Sequence, residues 1–200
     1  VLVDIPKDVQ SRAIPVDAWP APGAAAAPPQ ASPAQLAEAA ALIAAAARPI
    51  LYLGGGVVHS GAAAQAVALA EKAGLPTVMT LMALGAMPVD HPLSLGMLGM
   101  HGARATNLAL DECDLLIAVG ARFDDRATGK VAQFCPGARI IHIDIDVAEL
   151  DKIKTAHLGI TADVGATLDA LLPRVAPDQR EPWRQRVAAL APDEAEDYEL

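Results

Sequence analysis

Four short runs, Ile50–Leu53, Leu75–Met79, Asp114–Val119 and Arg139–Asp146, are apolar through most of their length instead of at every second position. A strand with one wet face alternates polar and apolar residues. A strand buried on both faces reads as a nearly unbroken apolar run. Stretches with helical spacing separate these runs. Regular alternation of strand and helix implies right-handed crossovers and a parallel sheet. The predicted fold is therefore α/β: a doubly wound, Rossmann-like parallel sheet of about six strands with helices on both faces.

Local signals place the elements. Ser32-Pro33 reads as a helix N-cap with proline at the first helical position, opening a helix that stops before Arg48-Pro49. A helix over about Ala62–Ala73 ends at Gly74, a residue suited to a left-handed cap. A long loop is expected from Thr80 to Gly102, then a helix over 103–110 and a short strand over His157–Ile160. Asp163 is placed to cap a helix reaching about Leu172. Val1–Ile5 reads as a short buried strand whose partners lie elsewhere, in a preceding domain cut away upstream. The expected organisation is a remnant of that domain at 1–10, a Pro/Ala-rich linker at 11–32, the domain proper at 33–175, and a C-terminal linker at 176–200 that holds one more helix around Pro182–Leu190.

Composition narrows the partners. Hydrophobic residues make up 53% of the chain but aromatics only 3%, so Ala, Val, Leu and Ile must build the core. The net charge of −9 comes with no Lys/Arg run, which argues against nucleic acid. No apolar run approaches the ~18 residues of a membrane span, and the start lacks the basic and apolar regions of a signal peptide. The two cysteines, Cys113 and Cys135, lack metal-site spacing and read as reduced thiols of a cytoplasmic protein.

In doubly wound sheets ligands bind beyond the carboxyl ends of the strands, so those positions are the candidate site. After the first domain strand comes Gly54-Gly55-Gly56, either a tight turn or a place where backbone approaches a phosphate. Thr80-Leu81-Met82 follows the second. Gly120-Ala121-Arg122-Phe123-Asp124-Asp125-Arg126 follows the third, with Arg122 or Arg126 able to offer planar multi-donor contacts. Asp144-Ile145 puts a carboxylate where such folds hold a ribose hydroxyl. Asp163-Val164 either only caps a helix or caps it and also faces an adenine; both readings stand at this point. Within the long loop, Leu98-Gly99-Met100-His101 interleaves large apolar residues and glycine, a poor solvated loop and a candidate ligand surface.

Several stretches together are similar to the middle domain of the acetolactate synthase (acetohydroxyacid synthase) catalytic subunit. They are VLVDIPKDVQ at 1–10, LYLGGG at 51–56, TLMALGAMP at 80–88, HPLSLGMLGMHG at 91–102, DLLIAVGARFDDRATGK at 114–130 and IIHIDID at 140–146. The resemblance implies a three-domain enzyme that joins two 2-oxo acids with loss of CO2, an early step of branched-chain amino-acid synthesis. It implies FAD in this domain, with thiamine diphosphate and Mg2+ held by the first and third domains. It also implies a homo-oligomer and a regulatory small subunit. By motif, the flavin nucleotide would meet Gly55, Thr80, Leu81, the Leu98–His101 segment, Gly120–Asp124, Asp144-Ile145 and Asp163-Val164. Lys7, Met100, Asp125 and Arg126 match the mouth of the substrate channel, where Arg126 would steer a carboxylate.

The family's catalytic glutamate and its diphosphate–Mg2+ motif have no counterpart in these residues, so the resemblance implies no catalytic residue and no metal ligand here. Other readings compete. One is the middle domain of a related thiamine enzyme such as glyoxylate carboligase. Another is a non-catalytic nucleotide module that binds NAD. A third is a fold that binds nothing.

Overall fold

The computed structural model describes residues 2–24 and 26–190. A single helical turn, α1 (Lys7–Gln10), lies in an exposed N-terminal segment. Then follow α2 (Pro33–Ala45), β1 (Pro49–Leu53), α3 (Gly55–His59), α4 (Ala63–Ala73), β2 (Thr77–Met79), β3 (Ser94–Met97), α5 (Arg104–Glu112), β4 (Leu115–Val119), α6 (Asp125–Thr128), β5 (Arg139–Asp144), β6 (Leu158–Thr161), α7 (Val164–Leu171) and α8 (Glu181–Ala188). The six strands are all parallel, in the order β3-β2-β1-β4-β5-β6. This is the doubly wound arrangement the sequence predicts. Its reversal point lies between β1 and β4.

Alternate strand residues feed two cores. Leu51, Leu53, Ile117, Val119, Ile141 and Ile160 pack with α2, α4 and α7 on one face. Ile50, Tyr52, Leu116, Ala118 and Ile140 pack with α5, α8 and Phe123 on the other. Both faces of β1 and β4 are fully buried, which is why their sequences do not alternate. The predicted caps form. Ser32 accepts from the Gln35 amide and the Gln35 side chain returns the bond to Ser32. Gly74 closes α4 in the left-handed region at φ 58°.

Three expectations are corrected. Leu2–Ile5 is not a buried strand: it pairs with no described strand, and Leu2 is 95% exposed. A lone strand has no partner for its amides and carbonyls. The sheet's further strand is instead β3, inside the stretch read as a long loop. It was hidden because Gly96, at φ 69°, sits where the β2–β3 register shifts, a bulge that breaks the periodicity. The stretch from 176 to 190, read as a linker holding one helix, does hold that helix, α8, but packs against the sheet. Its α8 buries Trp183 and Val187, and the Trp183 indole N–H donates to the Pro49 carbonyl at 3.0 Å. The remaining linker residues, 191–200, lie outside the described residues. No helix among the described residues is long and apolar enough to cross a membrane.

Candidate functional site

The loops leaving β1 and β4 meet at the reversal point in direct backbone contact. The Gly54 amide donates to the Val119 carbonyl at 3.0 Å and the Gly56 amide to the Gly120 carbonyl at 2.9 Å. A Cβ on Gly54 would overlap the Gly120 carbonyl oxygen, and one on Gly56 would reach 2.7 Å from the Gly120 Cα. Gly120 itself stands at φ 55°. These glycines exist first to let two loops interlock, forming a saddle across the carboxyl edge of the sheet. Gly55 differs: it takes no part in the interlock, and a Cβ there would stand 3.1 Å from the Met82 Cβ. The five-residue α3 offers no open N-terminus at Gly56, whose amide is already used.

A cavity lies on each side of the saddle. The larger, about 370 Å3, is bounded by Thr80, Met82, Leu98, His101, Asp124 and Arg126. Leu81 also lines it and is 69% exposed. The Thr80 hydroxyl is buried without a hydrogen-bond partner. A buried unpaired polar atom at a cavity wall is the usual sign of a missing ligand or water. The smaller cavity, about 200 Å3, is bounded by Gly56, His59, Gly120, Asp144, Ile145 and Asp163, with Val164 beneath. Asp163 caps α7, accepting from the Ala166 amide at 2.8 Å, and it also lines the cavity. Asp144 accepts from the Asp146 amide at 2.9 Å, which fixes its carboxylate at the cavity rim.

The β4–α6 loop alternates outward and inward. Arg122, Asp124, Asp125 and Arg126 are exposed, whereas Ala121 and Phe123 are buried. Phe123 packs edge-on against Tyr52, Phe134 and His142. Ala121 and Phe123 therefore lie under the site and line neither cavity. The Arg122 carbonyl accepts from the Tyr52 hydroxyl at 2.8 Å, and the loop is anchored there. Burial, helped by the nearby Asp124 charge, raises the Tyr52 phenol above its ordinary range and keeps it a donor. Asp124 caps α6 through the Ala127 amide at 3.0 Å. The His142 Nε2 faces the Ala121 carbonyl at 2.8 Å.

A third cavity, about 690 Å3, lies behind the Gly99–Met100 and Arg126–Ala127 segments. Met100, Asp125 and Arg126 all line it, and Arg126 also lines the Thr80 cavity. Three of the four residues matched to a channel mouth are thus brought together. Lys7 is not: its helical turn is exposed, and it borders none of the three cavities. Sequence reasoning missed His59, whose only signal is its place one turn after the glycine triplet. It also missed Asn107 and Arg180, which carry no motif.

Residues 36–171 match the family described as thiamine pyrophosphate enzyme, central domain. The chain is 58% identical over 190 residues to the acetolactate synthase isozyme 1 large subunit of Escherichia coli K12, covering 95% of this chain and 34% of that protein. It is 44% identical over 198 residues to a probable acetolactate synthase large subunit of Methanocaldococcus jannaschii (95% and 34%). It is 47% identical over 175 residues to acetolactate synthase 1, chloroplastic, of Zea mays (86% and 27%). The chain spans about a third of the length of the curated relatives it matches.

Proposed function

The chain belongs to the thiamine pyrophosphate enzymes, as their central domain, and from that premise we propose that it is the flavin-nucleotide domain of an acetolactate synthase large subunit. The whole enzyme would join two pyruvates, or pyruvate and 2-oxobutyrate, with loss of CO2. Thiamine diphosphate and Mg2+ would be held by its other domains, and a homo-oligomer with a regulatory small subunit would be its working form. Bound FAD would serve here as a structural group that ties domains together, without redox turnover.

The observation that carries this reading is the pair of cavities astride the glycine saddle, one with the unpaired Thr80 hydroxyl and the other with the Asp144 and Asp163 carboxylates. These residues fit a two-part ligand. Thr80, Leu98 and His101 would border the flavin ring. Gly55 and Gly56 would let the diphosphate cross the saddle, and Asp144 and Asp163 would face the adenosine. Asp125 and Arg126 would stand at the substrate entrance, the guanidinium orienting a 2-oxo acid carboxylate.

An NAD module is disfavoured by the turn after β1, which reads Gly54-Gly55-Gly56-Val57-Val58-His59 and puts His59 where the G-x-G-x-x-G dinucleotide fingerprint has its third glycine. The test is titration of the purified chain with FAD and, separately, NAD, followed by flavin fluorescence and by thermal melting. Saturable FAD binding that raises the melting temperature is expected, weaker than in a whole enzyme because other domains would supply contacts. Stabilisation by NAD and none by FAD would overturn the reading.

A further inference from the structure

Asn107 lies on α5, outside every motif discussed above, yet both ends of its amide are committed to one residue. The Gly99 N–H donates to Asn107 Oδ1 at 2.9 Å, and Asn107 Nδ2 donates to the Gly99 carbonyl at 3.0 Å. This is the reciprocal pair a neighbouring strand would supply. The β3 ladder ends at Met97, with the Leu98 amide making a last bond to the Met79 carbonyl at 3.2 Å. Beyond that point Asn107 stands in for the missing strand. One residue earlier on the same helix, Thr106 donates to the Leu95 carbonyl at 2.7 Å, so α5 holds the segment on both sides of Leu98.

Gly99 passes this constraint on. Its φ is 81°, and a Cβ there would overlap the Arg126 carbonyl oxygen. The 98–101 loop therefore rests directly on the Arg126–Ala127 backbone. Leu98 and His101 form one wall of the Thr80 cavity, and Arg126 and Ala127 form another. Asn107 itself touches neither wall from inside. It lies on the far side, in the 690 Å3 cavity, and reaches the Thr80 cavity only through Gly99.

The geometry points to Asn107 as a positioning residue that sets the spacing of the flavin-facing loop from Arg126. This rests on the flavin reading above. The amide is the only side chain among the described residues that hydrogen-bonds the 98–101 backbone, and Gly96, Gly99 and Gly102 leave the segment little stiffness of its own.

The experiment compares the wild-type chain with Asn107→Ala, Asn107→Asp and, as a stability control that lines none of the cavities, Ser32→Ala. Two readouts are taken: FAD affinity by fluorescence titration, and hydrogen–deuterium exchange of residues 98–101 without ligand. Asn107→Ala should weaken FAD binding about tenfold and speed exchange at 98–101 while β1, β4 and β5 stay protected. Asn107→Asp keeps the acceptor for the Gly99 amide and loses the donor, so it should fall between wild type and Ala in both readouts. Ser32→Ala should lower the melting temperature and leave FAD affinity unchanged. Unchanged exchange at 98–101 in Asn107→Ala overturns the clamp. Faster exchange with FAD affinity within twofold of wild type overturns its role in binding. A wild-type chain that binds no FAD overturns the flavin reading, and the exchange arm still decides the clamp.

Discussion

Arg180 is the residue on which the C-terminal part of the domain depends. Its guanidinium is buried beneath α8 and donates to main-chain carbonyls at the ends of two helices: Ile43 at 2.5 Å and Ala46 at 3.4 Å at the end of α2, and Ala73 at the end of α4. The last carbonyls of a helix have no partner within it and carry its negative end, so a cation there is favoured twice over. Arg180→Ala would strand the Ile43 and Ala73 carbonyls in a site sealed from water. At about 1–3 kcal/mol for each buried acceptor left unsatisfied, the loss from those two is about 2–6 kcal/mol; the long Ala46 contact adds little. Relief of guanidinium burial offsets part of this, and that same burial lowers the Arg180 pKa against the pull of Asp178. A net loss of about 2–4 kcal/mol follows. At about 2–4 °C per kcal/mol for a chain of this size, the melting temperature should drop by about 5–15 °C. The backbone of Arg180 is left-handed at φ 44°. Arg180→Gly loses the same bonds but relieves a strain of about 1 kcal/mol, so it should be less damaging than Ala. Urea denaturation with unchanged m-values is the assay. Arg180→Ala within about 0.5 kcal/mol of wild type, the range of ordinary surface substitutions, or Gly more damaging than Ala, would refute the reasoning.

Three other outcomes are expected. Gly54→Ala drives a methyl into the Gly120 carbonyl, backbone against backbone, and should abolish soluble expression or cost more than about 3 kcal/mol, whereas Gly55→Ala meets only the Met82 side chain and should cost under about 1 kcal/mol by the same urea assay. His142 has its pKa lowered by burial, against the opposing hydrogen bond to the Ala121 carbonyl. The unfolded chain thus binds a proton the native one refuses, so this stabilisation is complete above the ordinary value of 6.5 and is lost as pH falls below it, by at most about 1.4 kcal/mol per pH unit. Denaturant midpoints between pH 5 and 8 should show this slope flattened in His142→Gln; an identical slope would remove His142 from the account. Cys113 and Cys135 are buried in one core cluster, and the neighbouring Cys113 thiol, then burial, raises the Cys135 thiol. Native protein should react with Ellman's reagent far more slowly than protein in guanidinium, and equal rates would contradict the packing.

What the sequence made legible follows a physical line. The strands β1, β4 and β5 could be read because two-sided burial leaves an unbroken apolar run, and Ser32, Gly74 and Asp163 could be read because capping is local chemistry. What escaped depends on partners distant in the chain. A glycine pair opens α3 against its own helix propensity, because the interlock with Gly120 decides the backbone there. The helix after Arg180 could be read but its docking could not, since nothing local marks Arg180 as a cation turned inward. Phe123 sits in a run of charges, and only the inward–outward alternation of the folded loop places it in the core.

The candidate site was legible as a set of positions, but the glycines do different work from the one their sequence suggests. In an open doubly wound sheet the loops diverge at the reversal point and leave a crevice between them. Here Gly54, Gly56 and Gly120 close the base of that crevice by backbone contact. The space that Gly56 and Gly120 still border opens sideways, toward Asp144 and Asp163. Space remains on either side, at the ends of β2 and β3 and at the ends of β5 and β6. A ligand that uses both must be long, with two lobes and a thin joint that crosses the saddle beside Gly55. That shape is a dinucleotide's rather than a mononucleotide's, in keeping with the flavin proposal. It also explains why Gly55, the one glycine of the triplet not consumed by the interlock, is the position at which a side chain would matter to binding more than to folding.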